Sequence, residues 1–381
     1  MPTFCRLEVV EHDTRNTVAK VLRNLFSRDP YPVSKYRCAA MTARLDALCV
    51  EQRYDVVHVD HAQMAMYGEY LQRRYGIPYV LREHNFETTI YRRYAERSRM
   101  PLFALYFRMQ AARLYRYEAA ALAHPEVVAA ITPEDAASIS ESRRDDTRTP
   151  GGASPSSPPH APASVASPSS QIDRITIIPA GVDVERLRPF SVEPDPAHVV
   201  IVGPLVWGPN VDAALWFASS IWPRIAAAVP EARCTIAGAH PPRRLLRHAT
   251  DRLRIPGFVD AYDELLASAT VMAVPLRIGG GMRIKLLEFF ACGKAVVSTA
   301  IGAEGNAARK DEHYLCADGE EEFADAVIAL FRDAGKRREM GAAARALMES
   351  SYSWAHIGEL FEMAYLDAIA QRSGTKDAEN A

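Results

Sequence analysis

Short runs rich in Val and Ile recur along this chain, and each is followed by a longer stretch with helical spacing. A run that is apolar throughout, rather than alternating, belongs to a strand buried on both faces, and such strands occur in parallel sheets covered by helices. DVVHVD (Asp55 to Asp60), PYVLRE (Pro78 to Glu83) and VVAAIT (Val127 to Thr132) form a first set. RITIIP (Arg174 to Pro179), HVVIVG (His198 to Gly203), CTIAGA (Cys234 to Ala239), VMAVPL (Val271 to Leu276) and AVVST (Ala295 to Thr299) form a second. The alternation predicts an α/β protein with two parallel sheets. Sheets of this kind bind ligands at the carboxyl ends of their strands, which directs attention to the loops after Gly203 and Leu276.

The two sets are separated by RRDDTRTPGGASPSSPPHAPASVASPSSQ, which holds six of the 25 prolines, seven serines and almost no large apolar residue, so it cannot bury a core. The expected organisation is an N-terminal domain over 1–142, a disordered linker or insertion over 143–171, a C-terminal domain over 172–351 and a final helix with a tail over 352–381. At 381 residues and 48% hydrophobic composition, each domain is large enough for its own core. A net charge of −2 gives no electrostatic footprint for nucleic acid. The six cysteines are scattered without a close pair, which argues against a zinc site and against a dense disulfide framework, and fits a cytoplasmic protein. No run reaches the ~18 apolar residues of a membrane span, and the opening residues are too charged for a secretory signal.

PLRIGGGMRIKLLEFFACG (Pro275 to Gly293) reads as an anion-binding helix start. A helix N-terminus presents unpaired N–H groups and partial positive charge, both of which a phosphate oxygen satisfies. Gly279, Gly280 and Gly281 let the backbone turn and approach a diphosphate closely. Arg283 and Lys285 then lie in the first turn, where helix polarity disfavours cations unless an anion binds there. The competing reading is a flexible loop ahead of a core helix. The segment lacks the Gly-Lys-Ser/Thr ending of a P-loop, which disfavours a nucleoside triphosphatase. In PLVWGPNVDAALWF, which follows Gly203, Asn210 is expected to cap the next helix. Trp207 is either a wall for a flat ligand or a core residue, with core packing favoured.

The chain resembles the retaining nucleotide-sugar glycosyltransferases of family 4, built from two facing Rossmann-like domains in the arrangement called GT-B. The resemblance runs along nearly the whole chain. It is carried by REHNFET (Arg82 to Thr88), IIPAGVDVERLRP (Ile177 to Pro189), WGPNVDAALWF (Trp207 to Phe217), PGFVD (Pro256 to Asp260) and the glycine-rich helix start. It implies that the cleft between the domains holds donor and acceptor, and that the final helix, Trp354 to Ala370, crosses back to the N-terminal domain. It further implies that Gly280, Gly281 and Met282, with Arg283, Lys285 and Arg277, hold the donor diphosphate, and that Glu288 takes the nucleotide ribose. An ion pair with Lys285 is the other role open to Glu288. The backbone near Phe258 and Val259 takes the place where the family reads the base. His84 is implied to lie near the anomeric carbon as the catalytic-site histidine, donating to the transferred sugar or aligning the acceptor. Transfer is then a front-face displacement in which leaving-group stabilisation and positioning carry the catalysis. No Asp-x-Asp triad is present, so diphosphate binding is expected without a metal, and no cofactor is expected beyond the nucleotide diphosphate sugar as donor.

The sequence departs from the family in several places. Many members carry two glutamates eight positions apart, whereas Gly280 stands opposite Glu288 here. The loop after Gly203 lacks the usual arginine and lysine, and Ala180 stands where an asparagine is common. The strand and glycine-rich loop that normally open the family do not precede Leu7, so the N-terminal domain is expected to be incomplete. The segment Tyr91 to Tyr117 interleaves arginines with aromatic residues. It reads as a peripheral contact with an anionic membrane surface or, favoured slightly, as two helices packed on the sheet with their arginines in solvent. The resulting expectation is a glycosyltransferase making a polysaccharide or glycoconjugate from a nucleotide diphosphate sugar, on a glycan or lipid-linked acceptor, at the inner face of the membrane or in the cytoplasm. The other expectation is a non-catalytic subunit that binds nucleotide sugar, and a weaker third is a nucleotide-sugar epimerase of the same fold.

Overall fold

The computed structural model describes residues 5–84, 86–98, 100–146, 175–279 and 281–379. The chain divides into two compact units, Met1–Ile178 with Phe361–Ala381, and Pro179–Leu360. Gly280 and the segment 147–171 lie outside the described residues, as does Asn85.

The first unit is built on four parallel strands in the order β1 (Val57–Asp60), β2 (Tyr79–Glu83), β3 (Val127–Ala130) and β4 (Ile175–Ile177). Their apolar residues behave as the sequence implies. Tyr79, Val80 and Leu81 are buried, as is all of β3. Val59, Leu81, Leu122, Val128 and Ile139 form the core between sheet and helices. The strand Arg174 to Pro179 was expected to open the second domain. Its described part, Ile175–Ile177, is instead the last strand of the first sheet, where Val128 and Ile175 stand in register. The helix Pro133–Asp146 also runs four residues into the segment expected to be linker.

The second unit has six parallel strands in the order β10-β9-β8-β5-β6-β7: β5 (His198–Val202), β6 (Arg233–Ala237), β7 (Leu253–Gly257), β8 (Val271–Val274), β9 (Val296–Ser298) and β10 (Leu315–Cys316). Its central strands, β5, β8 and β9, are buried on both faces. Val199 and Ile201 enter one apolar cluster with Phe217, Ile225 and Phe323, whereas Val200 enters another with Leu286, Phe289 and Met348. Met272 and Ala273 divide in the same way, as the period-two geometry of a strand requires. Each fully buried Leu or Phe contributes roughly 1.5–3 kcal/mol by leaving water. The chain passes from β5 outward through β6 and β7, then returns to β8 on the other side of β5. The topological switch point therefore lies between β5 and β8.

The helix Trp354–Glu379 begins in the second unit, where the Trp354 ring lies against Gly181. From Phe361 onward it groups with the first unit, where Phe361 and Tyr365 meet the His58 ring edge-on. Among the described residues no helix is long and apolar enough to cross a membrane.

Candidate functional site

In the second unit a groove of about 390 Å³ opens at the carboxyl ends of β5 and β8. Gly203, Pro204 and Trp207 line it from the loop after β5 and Asn210 from the helix that follows, with Pro275, Met282 and Arg283 from the loop after β8 and Lys285 from the helix after that. The first loop lies close to β6. The Gly203 N–H donates to the Ala237 carbonyl at 3.0 Å, and a Cβ at Gly238 would fall 1.8 Å from the Gly203 oxygen. Only glycine fits there.

Asn210 does not cap the following helix. That helix, Gly208–Trp216, starts at Trp207 with no side-chain cap, and Asn210 lies within its first turn, donating back to the Pro204 carbonyl at 3.1 Å. The reason is Pro209, which suits the first helical turn and moves the start upstream of Asn210. Trp207 is no core residue either, since it is 39% exposed and walls the groove.

The loop after β8 turns at Gly281, whose φ of 73° glycine takes without strain, and leads into the helix Ile284–Ala291. Arg283 is the N-cap residue and Lys285 lies in the first turn, with no acidic residue there to complement the helix dipole. Lys285 reaches Glu288 at 3.1 Å, so the ion pair open to Glu288 does form. The same carboxylate oxygen accepts the Tyr262 hydroxyl at 2.8 Å, and the Lys285 ammonium sits 4.5 Å from the centre of the Tyr262 ring. Burial, with Glu288 beside it, pushes the Tyr262 phenol far above its ordinary range, so it stays a donor.

Arg277, expected to hold diphosphate, donates from Nε and Nη2 to the Asp212 carboxylate at 3.1 and 2.8 Å and lies 5.0 Å from the centre of the Trp216 ring. Phe258 and Val259 follow β7 and lie outside the groove lining, with Phe258 72% exposed. The structure thus brings Trp207, Asn210, Met282, Arg283 and Lys285 to one groove, with Glu288 joined through Lys285. Tyr262 was missed, because a tyrosine 26 residues from its carboxylate partner gives no local signal.

The first unit has a second cluster, at the ends of β1 and β2. Parallel pairing sets Asp60 beside Arg82, and His61 continues the pattern by donating its N–H to the Arg82 carbonyl at 3.0 Å. His84 follows directly after β2. Its Nε2 lies 2.6 Å from Asp60 Oδ1, and its ring stacks on His61 at 4.0 Å between centroids. His61 holds φ 74° and ψ 139°, a region that glycine occupies and side chains resist at a cost of roughly 1–3 kcal/mol. Burial, then the neighbouring His84, holds the His61 imidazole below its ordinary pKa. Burial works to raise the Asp60 carboxyl, but the hydrogen bond to His84 and three nearby histidines keep it below the usual range. On the same strand, His58 Nδ1 lies 3.0 Å from the Tyr365 hydroxyl, and burial lowers its pKa. The sequence reading found His84 but neither Asp60 nor His61.

The segment Tyr91 to Tyr117 forms two helices, Glu87–Arg97 and Pro101–Ala123. The first turns of the longer one leave Leu102, Phe103 and Leu105 exposed, whereas Ala111, Leu114 and Leu122 further along are buried.

Comparison with known proteins gives one consistent picture. Residues 196–333 match the family profile described as glycosyl transferases group 1, and residues 11–149 match the one described as glycosyl transferase 4-like domain. A GDP-mannose-dependent monoacylated alpha-(1-6)-phosphatidylinositol monomannoside mannosyltransferase of Corynebacterium glutamicum is 28% identical over 207 residues. The chain spans about half the length of that relative: the match takes in 48% of this chain and 53% of the other. Among solved structures, sucrose-phosphate synthase from Thermosynechococcus elongatus superposes with a TM-score of 0.63 at 16% identity, covering 92% of this chain and 80% of that one. HepE from Anabaena, solved with UDP and glucose, gives 0.57 at 13% identity, covering 85% and 80%.

Proposed function

The chain belongs to the GT-B glycosyltransferases of the family-4 type, and on that premise we propose that it transfers a sugar from a nucleoside diphosphate sugar to a hydroxyl of a glycan or lipid-linked acceptor. The observation that carries this reading is the groove at the β5–β8 switch point, where the start of the 284–291 helix supplies N–H groups, Arg283 and Lys285 with no acidic residue in the first turn. A diphosphate leaving group is stabilised by such fixed donors and cations, and no metal is required of them. Glu288, steadied by Tyr262, is proposed to take the ribose hydroxyls, and Trp207 to wall the donor. In the first unit, His84 is proposed to align the acceptor. Retention of configuration is part of the proposal, as in the family the chain resembles.

The name of the Corynebacterium relative makes GDP-mannose the first donor to try. An acceptor linked to lipid is compatible with the exposed Leu102, Phe103 and Leu105, which offer apolar side chains to the inner face of a membrane. The deciding experiment measures thermal stabilisation of the purified chain by a panel of nucleoside diphosphates and their sugars, followed by transfer of labelled sugar to membrane extracts. A ligand selective for the native state raises the melting temperature. Stabilisation with transfer supports the proposal. Stabilisation without transfer supports the non-catalytic subunit, and no stabilisation by any donor refutes the site.

A further inference from the structure

We propose that Asp60, His61 and His84 form a divalent-cation site at the carboxyl ends of β1 and β2, with the donor set of a zinc-class ion. One ligand atom from each of the three residues lies within 4.8 Å of the others. Two imidazole nitrogens and one carboxylate oxygen suit Zn²⁺ and its borderline neighbours, which take three protein ligands and keep a fourth position for water or a substrate hydroxyl. With metal–ligand bonds of about 2.0–2.1 Å, tetrahedral ligand atoms stand roughly 3.3 Å apart. His84 Nε2 and Asp60 Oδ1 at 2.6 Å are therefore slightly too close for a shared ion and separate by less than one ångström to admit it.

A hydrogen bond between Asp60 and His84 accounts for two of the three residues and leaves His61 unexplained. His61 is one of four non-glycine residues with positive φ among the described residues, and its backbone is pinned there by the bond to the Arg82 carbonyl. That backbone conformation carries the imidazole into a near-parallel stack on His84, 25° from coplanar. It also brings a ring nitrogen of His61 within 4.8 Å of the ligand atoms of Asp60 and His84. His84 also enters the proposed function as the residue that aligns the acceptor, whereas the proposed nucleotide groove is built from residues of the other unit. A negative metal result and a negative nucleotide result are therefore separate findings.

The test uses the full chain after treatment with a chelator. Zn²⁺ titration followed by calorimetry is expected to show one saturable equivalent, and Co²⁺ to give the intense visible bands of a tetrahedral site. His61→Gly is the informative variant, because glycine takes φ 74° freely and the metal-free protein is expected to melt no lower than the parent. Its affinity for Zn²⁺ is expected to fall by at least about tenfold, with similar losses for Asp60→Asn and His84→Gln. Any of three results overturns the site: no saturable equivalent, parental affinity in His61→Gly, or a near-ultraviolet thiolate band with Co²⁺, which would assign the ion to cysteines.

Discussion

At two strand ends the sheets fill a difficult backbone position with opposite residue types, glycine after β8 and histidine after β1. Where β5 and β6 release their loops in the second unit, glycine stands at the positions of close approach, Gly203 and Gly238, and where the chain turns after β8 it holds the positive φ at Gly281, although His240 after β6 also has a positive φ, of 56°. Where β1 ends in the first unit, the positive-φ position is His61. Glycine relieves strain and leaves room for a ligand to meet the backbone. A histidine in its place keeps the strain and supplies a side chain. One site is organised to present N–H groups to an anion, the other to present imidazole and carboxylate.

Single substitutions reverse that contrast, and the largest effect belongs to Gly238. A methyl group there collides with the Gly203 carbonyl, which is backbone and cannot turn aside. Gly238→Ala is therefore expected to destabilise the second unit by about 3 kcal/mol or more, near the upper end of single-residue effects. Chemical denaturation with a probe in each unit would show it. His61→Gly has the opposite sign in the metal-free protein, a gain of at most about 1 kcal/mol as strain is released. If both variants lose stability, the contrast between the two strand ends is wrong.

The units also oppose each other in pH dependence. The first buries Glu118 against the Thr88 hydroxyl, and burial raises its carboxyl to about 8 from 4.5. Between those values the folded state holds a proton that the unfolded state has lost, so this group weakens the first unit as pH rises from 4.5 to 8. The second buries Lys294 among the Ala267 and Ala269 carbonyls, and burial lowers its ammonium from 10.5 to about 8. There the unfolded state holds the extra proton, so stability of the second unit rises from pH 8 to 10.5. Each slope approaches about 1.4 kcal/mol per pH unit within its window. Glu118→Gln is expected to flatten the first slope and Lys294→Met the second. Melting curves across pH that show both units moving together would refute this assignment.

Most of the strands that were legible in the sequence, β2, β3, β5, β8 and β9 among them, are buried on both faces, since burial on both sides leaves an unbroken apolar run. β7 was not, because Leu253–Gly257 lies at the sheet edge, alternates exposed Arg254 with buried Leu253, and carries Pro256 where an edge strand tolerates it. β10, two residues long, carries no period at all. Membership of β4 in the first sheet was hidden for a different reason. An apolar run states that a strand is buried but not which strand it pairs with, and the linker invited the wrong assignment. The sites divide along the same line. Gly281, Arg283 and Lys285 are adjacent in sequence and could be read together, whereas Asp60 meets His84 across 24 residues and only through the register of two strands.

On the nucleotide side, Lys285→Ala and Glu288→Ala are each expected to weaken nucleoside diphosphate binding by about tenfold, as loss of a charged hydrogen-bonding partner does. Calorimetry reads this directly, and neither change should alter the metal titration of the first unit. The smallest effect belongs to Tyr262→Phe. The ring remains beneath the Lys285 ammonium, and only the hydroxyl that donates to Glu288 is lost. Net worth of such a bond is about 1 kcal/mol, so affinity should fall several-fold rather than vanish. Because Tyr262 acts through Glu288, its effect should disappear in a Glu288→Ala background, and a double-mutant cycle measures that dependence. Additive losses in the cycle would mean that Tyr262 acts other than through Glu288, either through Lys285, whose ammonium donates to its hydroxyl at 3.4 Å, or by contacting the nucleotide itself.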